Sequence, residues 1–560
     1  MKTRNPLFLT ILFFSIALCA HAKPNEKKAM QGMITVTSFD GQGKELRTGN
    51  GFFINQQGEA LSTFDIFKNA HAAEITDAQG QKWKVTRICG ANNLYNMVRF
   101  RTDCPSSTAL PISEAQLAQK SAVYILPALG GKAKKAVQTT VRETSMVEGL
   151  NYYTLEAKLE NTFAGCPILD AKGQVIAMMQ ANQSRDNEHS YGLDIALSQQ
   201  LTTSGMSATE IALNNIHIAK QLPDSEPQAR TFICLMPQNN MDTVCYLTAL
   251  QDYITAYPDQ PTGYTQRALY WASVKEYDKA DADYNTALQN VQNKADIHYE
   301  KSKLIYRLNM FPDYEKYSDW DMQKAVQEID EAYALESLPI FLMQKADCHF
   351  ALKQYDEAFR SYQQVNQSPL ASAQTFSAAA ISAEMSRQDS TIILALLDSA
   401  VNRYGKPYPK TAALSLLQRA THLDRYGRYK EAAQDYQAVE ELRGHKNLND
   451  NFYFIKFQCD TKARLYPIAL QDIEKALSYR PNDYGYTVEK ALAEWRMGQF
   501  EEAVYTGQQA IKVNPNGADA YKAIGLALGE MGRKAEALKN LRKAKELGDP
   551  QAESLIQSLQ

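Results

Sequence analysis

Tyr521-Lys522-Ala523-Ile524-Gly525, followed by Ala537, Leu541 and Ala544, sets a frame of small and bulky residues that the second half of the chain repeats. A small residue, a bulky one four later and a small or apolar one three after that share one face of a helix. The triplet returns at Ala280/Tyr284/Ala287, Ala325/Ile329/Ala332, Ala358/Tyr362/Val365, Ala432/Tyr436/Val439 and Ala469/Ile473/Ala476. Ala503 and Ala510 carry it with Gly507 between them, and Ile393/Leu397/Ala400 is a weaker copy. First members lie 33 to 45 residues apart and settle at 34 over the last two steps, the period of a helix-turn-helix repeat. Twelve residues before several anchors sits another small residue (Ala268, Ala346, Ala420, Ala491, Gly525), where a first helix must come close to a second. Pro481 and Pro515 fall at the turns between repeats, where helices must stop.

Upstream of this array the pattern changes. Short strands are expected at Met33 to Ser38, Gly51 to Asn55, Ala73 to Thr76, Trp83 to Cys89, Asn96 to Arg101, Ser121 to Leu126, Ala136 to Arg142, Tyr152 to Ala157 and Gln174 to Met179, with Gly, Asn and Asp turns between them. Many short strands without intervening long helices indicate a β-sandwich or barrel, not a parallel sheet. After Leu197 the chain turns helical, through a polar stretch with two prolines, Gln221 to Pro227, read as a linker.

The chain of 560 residues is 44% apolar and 22% charged, which is the make-up of folded, multidomain protein. A formal charge of −3 gives no excess of either sign to suggest a nucleic-acid binder or a polybasic membrane anchor. Residues 1–22 read as a signal peptide: Lys2 and Arg4, an apolar run from Leu7 to Leu18, and Ala20-His21-Ala22 as the cleavage site. The rival reading makes Cys19 a lipidated cysteine, against which stands the bulk of Leu18. Cys89 with Cys104, and Cys234 with Cys245, are near enough in sequence to bridge, or else are buried thiols. The sequence holds no zinc-ligand spacing and no phosphate loop, and His71 and His189, alone in the β half, make no metal site; no cofactor is expected.

The helical frame resembles the tetratricopeptide repeat over roughly Gly263 to Pro550, eight repeats. Asn240 to Pro258 would be a partial first unit and Gln551 to Leu559 a polar capping helix; one repeat carries about ten extra residues around Asn309 to Asp319, and Ser377 to Ala400 is degenerate. The β half carries Gly49-Asn50-Gly51-Phe52-Phe53-Ile54, Gly58-Glu59-Ala60-Leu61-Ser62-Thr63 and Gly165-Cys166-Pro167-Ile168-Leu169-Asp170-Ala171-Lys172-Gly173-Gln174-Val175-Ile176. In that order they resemble the trypsin-like serine peptidases of the HtrA type, over about residues 31 to 200. What the resemblance implies for chemistry is loss. The family's histidine falls on Asp65, its carboxylate on Asn96 and its serine on Ala164, while Thr162 takes the glycine of the oxyanion hole. His71 stands too close to the next turn to act as base, and Cys166 takes a structural glycine's place two residues past the nucleophile position.

The expected protein is therefore multidomain: a signal peptide (1–22), an all-β trypsin-like double barrel (27–200), a helical linker (201–239) and an all-α tetratricopeptide solenoid (240–560). The expected function is an exported, periplasmic or envelope scaffold that binds a protein or peptide without hydrolysing it. The alternative is a serine-type endopeptidase with a non-standard site, whose repeats recruit substrate. In the family frame the groove-facing residues include Met343, Phe350, Phe454, Leu492, Trp495, Arg496 and Lys522, rich in the residue types that anchor interfaces.

Overall fold

Alternation in the first half closes into barrels. The computed structural model describes residues 23–133, 135–182, 188–239, 242–311 and 317–559; the expected leader 1–22, with Cys19, and part of the extra segment at 309–319 lie outside them. The chain divides into two compact units, Met1–Asn293 and Lys294–Gln560.

In the first unit, β1 (Met33–Phe39), β2 (Glu45–Phe53), β3 (Glu59–Ser62), β4 (Ala72–Asp77), β5 (Lys82–Asn92) and β6 (Met97–Thr102) form one barrel. A second is made of β7 (Ala122–Ile125), β8 (Val137–Val147), β9 (Leu150–Leu155), β10 (Pro167–Leu169), β11 (Val175–Met179) and β12 (Ser190–Asp194). Around the first the order is β1-β2-β3-β6-β5-β4, and around the second β7-β8-β9-β12-β11-β10, so one topology occurs twice. All pairings are antiparallel. Inward residues fill each barrel: Ile34, Val36, Phe53, Ile75, Ile88 and Phe100 in the first, Val123, Ile125, Leu155, Ile168, Met178 and Leu193 in the second. The strands absent from the sequence reading are β3, β10 and β12, of four, three and five residues, which are buried almost throughout and so show little apolar-polar alternation.

The segment expected as a linker is partly built into the first barrel. Ile88 N–H donates to Ala219 O at 2.8 Å, and Gln221 N–H returns the bond to Ile88 O at 2.8 Å. Leu213, Ile216 and Ile218 are buried in that barrel's core, which the apolar side chains of a free linker would not be. Helices begin beyond it with Glu226–Leu235 and Thr243–Ala256.

From Pro261 the helices come in pairs. The first unit ends with the pair Pro261–Ser273 and Tyr277–Asn290. Among the described residues, the second contains seven more, from Lys294–Met310 with Met322–Leu335 to Ala518–Glu530 with Lys534–Glu546, and then the helix Ala552–Leu559. The small anchors are where the sequence frame put them: Ala346, Ala420, Ala432, Ala469, Ala503 and Ala537 are fully buried. At Gly525 a methyl group would stand 2.7 Å from Leu541 Cγ, so the first helix of that repeat needs the missing side chain to approach the second.

A row of cations laces the pairs. In six first helices a Lys or Arg stands immediately before the small-residue position: Arg267, Lys301, Lys345, Arg419, Lys456 and Lys490. Arg267 binds Asp283 of its own second helix (Nη2 to Oδ1 2.6 Å) and Gln251 of the preceding helix (2.6 Å). Arg419 holds Asp435 through two parallel bonds of 2.7 and 2.8 Å and reaches back to Asp398 at 2.9 Å. Lys456, 1% exposed, meets Asp472 at 2.8 Å, Glu440 of the preceding helix at 3.4 Å and Asp460 at 3.6 Å. Lys345 and Lys490 reach back to Asp330 (2.6 Å) and Glu474 (2.9 Å), while Lys301 pairs with Glu328 at 3.4 Å.

Candidate functional site

The loops at the ends of β3, β6 and the segment before β10 bring the three degenerate positions to the boundary between the two barrels. After β3 the chain makes one helical turn, Phe64–Phe67, whose apolar residues are buried and which leaves Asp65 exposed. Asn96, just before β6, has φ +50°, a left-handed conformation that asparagine tolerates better than most residues. The two side chains meet: Asn96 Nδ2 donates to Asp65 Oδ2 at 3.0 Å, and Asp65 N–H donates to Asn96 Oδ1 at 2.9 Å. A carboxylate paired with an amide thus occupies the places where the resemblance calls for an imidazole and a carboxylate. A neutral amide offers no negative charge to orient and stabilise an imidazolium, and with aspartate in the histidine's place there is no imidazole to take a serine proton.

Ala164 sits in a tight loop that opens with the helical turn Asn161–Phe163. Its methyl offers no nucleophilic atom. The loop is stitched to the first barrel by Asn50, whose Nδ2 donates to Thr162 O at 2.8 Å and Ala164 O at 2.9 Å. Asn50 is held in turn by the Ser62 hydroxyl, which donates to Asn50 O at 2.6 Å. Gly165 has φ +82°, and a Cβ there would stand 2.5 Å from Asn50 O, so this position admits glycine alone. Ala164 N–H, the amide a peptidase aims at the developing oxyanion, donates instead to Asn161 O at 3.0 Å. An amide already bonded within its own turn does not stabilise charge on a substrate. Cys166 is fully buried, and burial pushes its thiol far up, away from the thiolate form a nucleophile needs.

Beside Asn96 lies a cavity of about 330 Å³ lined by Leu94, Tyr95, Asn96, Tyr152, Tyr191 and Leu193, with residues 180–182 along one wall. Tyr152 and Tyr191 stack at 5.8 Å, and Tyr95 donates its hydroxyl proton to Glu148 at 2.8 Å. His71 lies away from this place, stacked on His217 at 4.3 Å, and His189 lies 2.7 Å from Arg142. All seven cysteines of the described residues are free thiols, so neither Cys89 and Cys104 nor Cys234 and Cys245 are bridged. Burial raises Cys89 and Cys348 to about 11 and Cys459 to about 12, which makes them unreactive packing groups.

In the second unit the seven groove candidates divide. Phe454 packs on Tyr486 at 4.8 Å and on Phe457 at 6.0 Å; Leu492 packs with Val488, Ala510 and Ala520; Phe350 meets Tyr355 edge-on at 5.4 Å. Lys522 is held by Asp549 at 2.7 Å and Asp519 at 2.9 Å. These four therefore contribute to packing or pairing inside the array. Met343 and Trp495 are half-buried and Arg496 is exposed. Two cavities of this unit, of about 400 and 890 Å³, are lined largely by second helices, the former by Ala433, Gln437 and Glu441 above the Lys456 cluster and the latter by Tyr505, Gln509 and Val513. A reading confined to first helices misses these second-helix faces; the signal for them is the exposed Tyr505 and Val513.

Residues 492–532 match the family model described as TPR repeat, and the helical part of the chain is a tetratricopeptide-type array. A stretch of 97 residues is 34% identical to the small glutamine-rich tetratricopeptide repeat-containing protein 2 of Mycosarcoma maydis. The match covers 17% of this chain and 27% of that protein, so the chain spans about a quarter of the relative's length. Among solved structures, a serine endoprotease from Yersinia pestis is similar over 31% of this chain and 64% of its own, at 14% identity and a TM-score of 0.28. An HtrA-type protease solved with a tripeptide is similar over 31% of this chain and 60% of its own, at 12% identity and a TM-score of 0.28. No helix among the described residues is long and apolar enough to cross a membrane.

Proposed function

We propose that this chain, a trypsin-like double barrel joined to a tetratricopeptide array, is an exported protein-binding scaffold whose barrels do not hydrolyse peptide bonds. The observation that carries the loss of catalysis is Ala164, a methyl group at the nucleophile's place with its amide bonded back to Asn161. The Asp65–Asn96 pair supports the same reading, because it puts no imidazole where the resemblance calls for the base. Export rests on the leader-like residues 1–22.

The test of this half is turnover of unfolded casein and labelling by a fluorophosphonate. Wild type is expected to show neither, and Ala164→Ser alone is expected to stay inert, because triad members act as a unit. The triple change Ala164→Ser, Asp65→His, Asn96→Asp is expected to remain slow while Ala164 N–H stays in its turn. Strong cleavage by wild type or by the single variant would mean that a base is already in place, and the chain would then be an endopeptidase with a non-standard site.

Binding is assigned to the array, since stacked repeats offer a long continuous surface. Trp495, half-buried and beside the exposed Arg496, is the anchor expected to matter most. Trp495→Ala in the full chain is expected to weaken capture of a partner, crosslinked beforehand in the native envelope, by about 2 kcal/mol. The full chain is the right material, because a cut at residue 200 would strip Ala219 O from Ile88 and leave part of the first barrel's core behind. Unchanged capture by Trp495→Ala, together with loss on Tyr152→Ala in the barrel cleft, would move the binding site to the barrels.

A further inference from the structure

Three segments of the first unit, distant in sequence, meet outside the degenerate cleft. Asn69 N–H donates to Asn215 O at 2.7 Å and His217 N–H to Ala70 O at 2.8 Å, so residues 69–71 and 215–217 run side by side. His71 N–H is anchored on Phe39 O at 2.9 Å. This pairing lays the two imidazoles face to face, 4.3 Å apart and 14° from parallel. The third group is Asp242, which caps the helix Thr243–Ala256; its Oδ1 accepts from Val244 N–H at 2.8 Å and Cys245 N–H at 3.2 Å, which fixes the carboxylate and leaves Oδ2 uncommitted. The Cys245 thiol donates to His217 O at 3.3 Å and ties that helix to the histidine strand. One ligand atom from each of His71, His217 and Asp242 lies within 4.8 Å of the other two. Among the described residues, neither imidazole has a side-chain hydrogen-bond partner.

We infer that His71, His217 and Asp242 form a divalent transition-metal site, best suited to zinc, which pins the helix Thr243–Ala256 to the first barrel. Two imidazoles and one carboxylate are ligands that zinc takes readily, whereas calcium and magnesium prefer oxygen alone. Ligand atoms around tetrahedral zinc lie roughly 3.4 Å apart, from bonds of about 2.0 to 2.1 Å. The exposed ring of His71 can turn to close the remaining gap. The carboxylate is already oriented for a ligand, since the N–H groups of Val244 and Cys245 hold its other oxygen. Lys220 is the opposing charge nearby, and its ammonium is turned onto the carbonyls of Ile216 and Ile218. Three protein ligands leave a fourth position for water or for a donor from a partner.

The experiment uses the full chain, stripped with a chelator, titrated with zinc chloride by calorimetry and followed by thermal melting; cobalt(II) supplies an absorption signature of nitrogen and oxygen ligation. Wild type is expected to bind a single zinc per chain with a raised melting midpoint, and neither calcium nor magnesium should substitute. His71→Gln, His217→Ala and Asp242→Asn should each lose at least tenfold in zinc affinity, while His189→Gln should not. Asp242→Asn keeps a good helix cap and His71→Gln changes an exposed side chain, so both should fold even if His217→Ala does not. Stoichiometric zinc binding that survives Asp242→Asn and His71→Gln would overturn the assignment, as would a wild type that binds no zinc at micromolar concentration.

Discussion

Lys456→Met should cost the array about 3 to 5 kcal/mol, the usual penalty for removing one partner from a buried ion cluster. Among the described residues, the cations paired with Asp472 and Asp460, which are 0% and 1% exposed, are Lys456 and, at the edge of Asp472, Lys475. Loss of Lys456 takes from Asp460 the cation it faces, leaves Asp472 with Lys475 at 3.6 Å, and weakens the hold on Glu440. Burial, and then the bond to Asp472, already push the Asp460 carboxyl well up from its ordinary value, against the pull of Lys456. The measurement is urea unfolding of the full chain, read as the shift of the array's transition. The double variant Lys456→Met, Asp472→Leu should recover much of the loss, because a buried pair can often be replaced by apolar groups at little cost. A single variant within about 0.5 kcal/mol of wild type, the range of ordinary surface changes, would show that the cluster is hydrated rather than buried.

The second large effect is a dependence on acid. Burial alone would raise the Glu328 carboxyl, but the bond with His298 at 2.6 Å and the charges of Lys301 and Lys324 outweigh it, lowering it from 4.5 to about 2. A carboxyl held lower in the folded state than in the unfolded one stabilises the fold fully above the unfolded value, and that contribution is lost as pH falls through the folded value. The window here runs from pH 4.5 down to about 2. At roughly 1.4 kcal/mol per unit the contribution is of the order of 3 kcal/mol. Wild type should therefore exceed Glu328→Gln by about that amount at pH 7, and the gap should narrow steadily below pH 4.5. A gap unchanged between pH 7 and 3 would mean that Glu328 contributes packing and not charge.

Much of this architecture could be read before any coordinates. The repeats were legible because one frame recurs, so that Ala432, Ala469, Ala503 and Ala537 each support the others. The barrels were legible where a strand alternates, as in β1, and not in β3, β10 and β12, which are short and buried almost throughout. Asp65 and Asn96 were placed by resemblance from separate stretches, and in the fold they touch. Neither the bond that closes Ala164 N–H into its turn nor the stacking of His71 on His217 has a sequence signature, because each depends on how one backbone segment lies against another. The lacing cations are a different case. Arg267, Lys345, Arg419 and Lys490 each stand directly before an alanine of the frame, a pattern present in the sequence that apolar periodicity passes over.

The direction of that lacing bears on how the protein is made. Gln251, Asp330, Asp398, Glu440 and Glu474 all precede in the chain the cation that reaches back to them. As the polypeptide emerges from the ribosome, amino end first, each acceptor is synthesised before its donor. For the four charged acceptors of the second unit, an unfinished array halted after any of these helices leaves acid, never base, waiting at its growing edge. Two such half-made chains would meet acid against acid and repel, while each new repeat of the same chain arrives with the cation that the edge awaits.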